Sequence, residues 1–180
     1  MKSIAVYCAS SFGAPLYTQV AYDVGKTLAQ RNVRVIYGGS TAGLMGKVAD
    51  AALENGGSVV GVIPDFLSKL ELMHPGLSEI HVVETMHQRK AKMVALSEGI
   101  LVLPGGYGTL DELFEVLAWS QLRIFNGPVG ILNVNGFYDL LLAHLDRARE
   151  EQFLRSENRD LIRVDDNLEG LLMQMDKFVR

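Results

Sequence analysis

Cysteine is nearly absent. Cys8 alone in 180 residues cannot close an internal disulfide, so the thiol content gives no sign of an oxidising compartment. Cys8 reads as a small buried apolar residue at a strand end. An excess of positive charge is also missing. The 17 basic residues against 21 acidic ones leave a net charge of −4, without the basic footprint on which duplex binding rests. A local basic pocket for a small anion is compatible with that balance. No apolar run approaches the roughly 20 residues of a membrane span. After Lys2 the N-terminal segment has one apolar run, residues 4–8, where a signal peptide needs roughly 7–15. The expectation is a cytoplasmic protein with neither a membrane nor a nucleic-acid polymer as partner.

Familiar cofactor and metal signatures are lacking as well. The loop after the first predicted strand runs from Ala9 to Pro15 with a single glycine, Gly13, and a dinucleotide fingerprint needs three. Gly38 and Gly43 have P-loop spacing, but Leu44 and Met45 follow where Lys and Ser/Thr belong. The histidines His74, His81, His87 and His144 form no zinc-type pair. There is no G-x-S-x-G elbow for a nucleophilic serine. Neither a cofactor nor a metal is expected.

What the chain does have is apolar content, 48% against 21% charged, enough to exclude disorder. Short apolar runs predict strands at 4–8, 33–37, 59–63, 80–83, 100–103, 129–132 and 161–164. Helical stretches alternate with them. One opens at Pro15 with Val20, Val24 and Leu28 on one stripe, and others run to about Glu54, over 86–97, through Leu122, over 137–150 and over 168–178. Residues 65–78 are the least regular and read as a loop with a short helix. The alternation predicts one α/β domain over 1–180, a Rossmann-like, doubly wound parallel sheet with helices on both faces. Ligands of such sheets bind outside the carboxyl ends of the strands.

Two Gly-rich loops follow predicted strands. In Pro104-Gly105-Gly106-Tyr107-Gly108-Thr109 the glycines let backbone amides approach a ligand. The helix expected to start near Thr109 adds its free N–H groups and positive end. A monophosphate suits that loop. The loop from Gly38 through Gly39, Ser40 and Gly43 to Gly46 offers a second face by the same physics. Thr109-x-x-Glu112 has the form of a capping box, as does Thr85-x-x-Gln88. Asp111 and Glu115 fit first-turn acids favoured by the dipole. Arg89, Lys90 and Lys92 put cations near a helix start, which is unfavourable unless an anion or acid lies opposite.

Taken in order, Cys8-Ala9-Ser10-Ser11, Tyr37-Gly38-Gly39, Gly43-Leu44-Met45-Gly46, Gly61-Val62-Ile63-Pro64, Met86-His87-Gln88-Arg89-Lys90, the P-G-G-x-G-T-x-x-E run at 104–112 and Pro128-Val129-Gly130 resemble the LONELY GUY family of cytokinin riboside 5′-monophosphate phosphoribohydrolases. Ser40 stands where many relatives have glycine. The resemblance implies hydrolysis of the N-glycosidic bond of a purine nucleoside 5′-monophosphate, giving free base and ribose 5-phosphate. It places catalysis on Arg89 and Glu112. It places substrate contacts on Glu71, Arg89, Lys90, Gly105, Gly106, Tyr107, Gly108, Thr109, Gly39 and Ser10, in a homodimer. Two other readings stand beside it: a general adenosine monophosphate nucleosidase and a non-catalytic nucleotide-sensing module. Proteins with this glycine run have also been called lysine decarboxylases, but Lys90 and Lys92 do not form a recognisable pyridoxal phosphate site.

Overall fold

The computed structural model describes residues 1–68 and 73–178. Strands and helices alternate as the periodicity predicts. The strands are β1 (Ser3–Tyr7), β2 (Arg34–Tyr37), β3 (Val59–Pro64), β4 (Glu79–Val83), β5 (Gly99–Val102), β6 (Val129–Leu132) and β7 (Ile162–Asp165). The helices are α1 (Pro15–Gln30), α2 (Gly43–Glu54), α3 (Asp65–Ser68), α4 (Met86–Ala95), α5 (Tyr107–Gln121), α6 (Asp139–Glu150), α7 (Ser156–Arg159) and α8 (Leu168–Asp176). The four-residue α7 has no counterpart in the apolar periodicity, since none of its residues is buried.

Pairing is parallel throughout, in the order β4-β3-β2-β1-β5-β6-β7. Strands buried on both faces read as continuous apolar runs, which is why β2, β3 and β5 lack alternation. Side chains on one face, among them Val6, Val35 and Leu101, pack with Val24 and Leu28 of α1, Val48 of α2 and Leu171 of α8. On the other face Ala5, Tyr7, Ile36 and Val62 join Met93 of α4 and Leu113 and Val116 of α5. The sheet is therefore doubly wound.

Strand order reverses at β1. The chain builds outward from β1 to β4, then returns to lay β5 on the other side of β1. A crevice opens at such a switch point because the loops on its two sides leave in opposite directions. Here those loops follow β1 and β5, and they are tied together by the Ala9 amide donating to the Pro104 carbonyl at 3.2 Å. A cleft of about 140 Å³ lies beside them, lined by Ala9, Phe12, Tyr17, Gly105, Gly106 and Phe137 among others.

Candidate active site

The loop after β5 turns straight into α5, whose N-cap is Gly106. Among the described residues nothing accepts from the amides of Tyr107, Gly108 or Thr109. Those three donors and the positive end of a 15-residue helix face the carboxyl edge of the sheet, as an anion site requires. A side-chain carbon built on Gly106 or Gly108 would meet no atom within 4 Å, so the space over this turn is open. Tyr107 is 96% exposed. Behind the loop, Tyr138 donates from its hydroxyl to the Leu103 carbonyl at 2.7 Å, and the same hydroxyl meets the Gly105 backbone.

The capping box expected at Thr109 is not there. The helix starts before Thr109, and Thr109 is buried (3% exposed). Its side chain packs on Gly105, where a β-carbon would come within 2.0 Å of Thr109 Oγ1. Glu112 thus lies one turn inside α5, relieved of the capping role. The other expected box is present: Thr85 Oγ1 accepts from the Gln88 amide at 3.1 Å and caps α4.

The first Gly-rich loop also departs from expectation. The Leu44 amide donates to the Ala9 and Ser11 carbonyls at 3.1 and 3.3 Å, and the Met45 amide donates to Ala9 at 3.3 Å. The start of α2 is therefore closed by the loop after β1 and is no second anion cradle. Gly43 makes this approach workable, with φ +54 and a β-carbon position 2.3 Å from the Ser10 carbonyl carbon. Ser40 is buried; its Oγ accepts from the Ala42 amide at 3.1 Å. Gly39 accepts from the His74 amide at 3.0 Å, and Ser10 is exposed in the loop above β1.

Arg89 reaches this edge from α4 on the face that α5 covers. It is buried (7% exposed). Its Nε donates to the Val62 carbonyl at 3.2 Å, and Nη2 donates to the Gly38 carbonyl at 3.4 Å. Glycine at 38 leaves room for this placement, because a β-carbon there would lie 1.9 Å from Nη2 and would displace the guanidinium. Lys90, the next residue, meets Asp111 Oδ2 at 2.9 Å and Glu115 Oε1 at 3.2 Å. These are the acids that the cation-rich start of α4 lacked in the sequence. Burial pulls the Lys90 ammonium toward neutrality, but its hydrogen bonds to Asp111 and Glu115 win, and its pKa ends above the usual lysine value.

Glu112 sits among these charges. Burial pushes its carboxyl up to about 7, with Arg89 and Lys90 opposing and Asp111 and Glu115 adding to the rise. Tyr7 and Cys8, at the end of β1, feel the Glu112 charge in turn, and burial holds both above their usual ranges. The fold thus gathers Arg89, Lys90, Glu112 and the Gly105–Thr109 turn beside the switch point. Glu71 lies outside the described residues. Asp111, Glu115 and the Val62 carbonyl belong to the site but read in sequence as first-turn helix acids and a core strand. One signal for the acids was present: residues four apart share a helix face.

Among the described residues no helix is long and apolar enough to cross a membrane. Residues 45–175 match the family described as "Possible lysine decarboxylase". The cytokinin riboside 5′-monophosphate phosphoribohydrolase of Rhodococcoides fascians is 43% identical over 173 residues, covering 95% of this chain and 87% of that protein. An enzyme of the same name from Arabidopsis thaliana is 42% identical over 179 residues, 99% of this chain and 84% of its own length. In fold, the chain is similar to the molybdenum cofactor carrier protein of Chlamydomonas reinhardtii. That likeness has a TM-score of 0.71 at 18% identity, covering 98% of this chain and 96% of the carrier.

Proposed function

Since the chain belongs to the LONELY GUY family of phosphoribohydrolases, we propose that Arg89 and Glu112 carry its cytokinin riboside 5′-monophosphate hydrolysis. The reaction is the family's: an N-glycosyl bond is cut by water, leaving free base and ribose 5-phosphate. What is proposed is how this chain performs it. The observation that carries the proposal is Glu112, a half-buried residue whose carboxyl is pushed up to about 7, beside Arg89 and next to an open turn of free amides.

The three amides at the start of α5 take the 5′-phosphate, with Gly106 and Gly108 giving the ligand close access. Arg89, its guanidinium oriented by two carbonyls, presents its remaining N–H groups to ribose or phosphate oxygens. As the C–N bond breaks, positive charge gathers on the ribose, and ionised Glu112 stabilises it. The same carboxylate takes a proton from the attacking water, a task suited to a group that titrates near neutral pH. The base leaves with the bonding electron pair and gains a proton from solvent, to which Glu112 returns its own. Glu71, Gly39 and Ser10 complete the substrate contacts in this reading. The protein works in the cytoplasm, where a free thiol such as Cys8 persists. It works as a homodimer, consistent with the exposed apolar side chains Leu122 and Ile124.

Decarboxylation of lysine would need pyridoxal phosphate on a Schiff-base lysine. Such a lysine has a lowered pKa. The buried lysine of this site, Lys90, is clamped by two carboxylates with its pKa raised, so these residues do not fit that cofactor.

Chromatography of products from adenosine monophosphate and its N6-isopentenyl derivative tests the reading. Free base and ribose 5-phosphate in equal amounts are expected, with faster release from the isopentenyl substrate. Faster release from plain adenosine monophosphate would identify a general nucleosidase. Nucleotide binding without base release would leave only a sensing module.

A further inference from the structure

Lys90 stands where α4 faces α5, and its ammonium is held by both Asp111 and Glu115. These acids lie one turn apart on α5 and bracket Glu112 in the sequence. Lys90 itself follows Arg89. The bridge therefore joins the two helices at the level of the residues proposed to act on substrate. The lysine side chain is 8% exposed, against 60% for Asp111 and 24% for Glu115. An ammonium has three donors, and two of them are engaged by these carboxylates.

The charged and titratable groups facing Glu112 can be named from every element packed on it. Arg89 and Lys90 come from α4, Asp111 and Glu115 from α5 itself, and Tyr7 and Cys8 from the end of β1. Burial keeps the tyrosine and the thiol protonated. The balance is thus two cations against three carboxylates. Without Lys90, only Arg89 would offset all three, and like charges so close oppose one another's ionisation.

We propose that Lys90 is a positioning residue for the hydrolysis: it ties α4 to α5 and offsets Asp111 and Glu115, so that Arg89 and Glu112 stay in register and Glu112 can ionise. This rests on the reading of Glu112 as the reacting carboxylate. It differs from the role the resemblance implies, in which Lys90 touches the substrate.

The test uses the full chain, with kcat and KM for N6-isopentenyl adenosine monophosphate followed from pH 5 to pH 9. The Glu112 carboxyl is titrated by carbon-13 NMR in the protein without substrate. In Lys90→Met, kcat at pH 7 should fall roughly tenfold while KM changes less than about threefold. The Glu112 midpoint should move upward by about one pH unit, and adding Asp111→Asn and Glu115→Gln should bring it back down. Lys90→Arg, which keeps the charge, should recover most of kcat. A rise in KM beyond about tenfold with kcat and the midpoint unmoved would overturn the proposal in favour of direct substrate contact. If Lys90→Met does not fold, Asp111→Asn/Glu115→Gln decides in its place. Its Glu112 midpoint should fall below that of the parent protein, and an unmoved midpoint overturns the proposal. Full activity in Glu112→Gln would instead remove the reading of Glu112, while the NMR midpoint still reports on the bridge.

Discussion

Burial moves the Glu112 carboxyl from 4.5 to about 7, and that displacement couples its chemistry to the stability of the fold. Between those two values the unfolded chain releases the proton while the folded chain keeps it. Stability therefore declines as pH rises through this window, and the full cost is present above it. Glu112→Gln removes the cost along with the charge. The variant should melt like the parent near pH 4 and be more stable by about 1–2 kcal/mol at pH 8. It should also lose base release by about a hundredfold or more. Melting curves at the two pH values, with product assays beside them, check both halves. A variant less stable than the parent at pH 8 would show that the carboxylate is favoured by the fold. In the parent, kcat should rise with pH through a midpoint near 7, as ionised Glu112 accumulates.

At the scale of elements, the start of α5 decides the chemistry. Gly108 lies in the first turn with open space above it, and its backbone is helical, so a methyl group fits the fold. Gly108→Ala should stabilise the protein by about 0.5 kcal/mol yet raise KM about tenfold, because the methyl group would intrude on the anion's approach. Calorimetry and steady-state kinetics read the two effects separately, and an unchanged KM would place the phosphate elsewhere. This helix also marks a limit of sequence reading. Thr109-x-x-Glu112 satisfies a local capping pattern, but the packing of Thr109 on Gly105 carries the helix back to Tyr107. The start of α2 departs from its local pattern in the same way. Its glycines suggest an open cradle, whereas the carbonyls that close it, at Ala9 and Ser11, come from a loop distant in sequence. The box at Thr85 was legible because both of its partners lie within one turn.

Over the whole molecule, the seven strands and the double winding were legible, since a buried parallel sheet writes itself as apolar runs between amphipathic helices. The order of strands was not, because nothing local to β4 says that the next strand will lie beside β1. The pairing of Lys90 with Asp111 and Glu115 depends on that return path and was hidden with it. At this scale the net charge of −4 also has a measurable meaning. Duplex DNA at micromolar concentration should leave the hydrolysis unaffected. Raising salt from 50 to 200 mM should weaken the nucleotide by only about two- to fivefold, far less than the roughly 10³-fold or greater loss typical of binding to many phosphates. Inhibition by DNA that salt relieves would reveal a basic surface that the composition conceals.

The hold on Arg89 carries a consequence for how the chain can evolve. Its guanidinium is anchored by main-chain oxygens of positions 62 and 38, and a carbonyl survives any substitution. Position 62 is therefore free to drift among β-branched and other apolar residues without disturbing the arginine. Position 38 lacks that latitude where the arginine must stay in place, since a β-carbon there would lie 1.9 Å from Nη2 and push the guanidinium aside. In a library selected for activity, variation at 62 and invariance at 38 should emerge together.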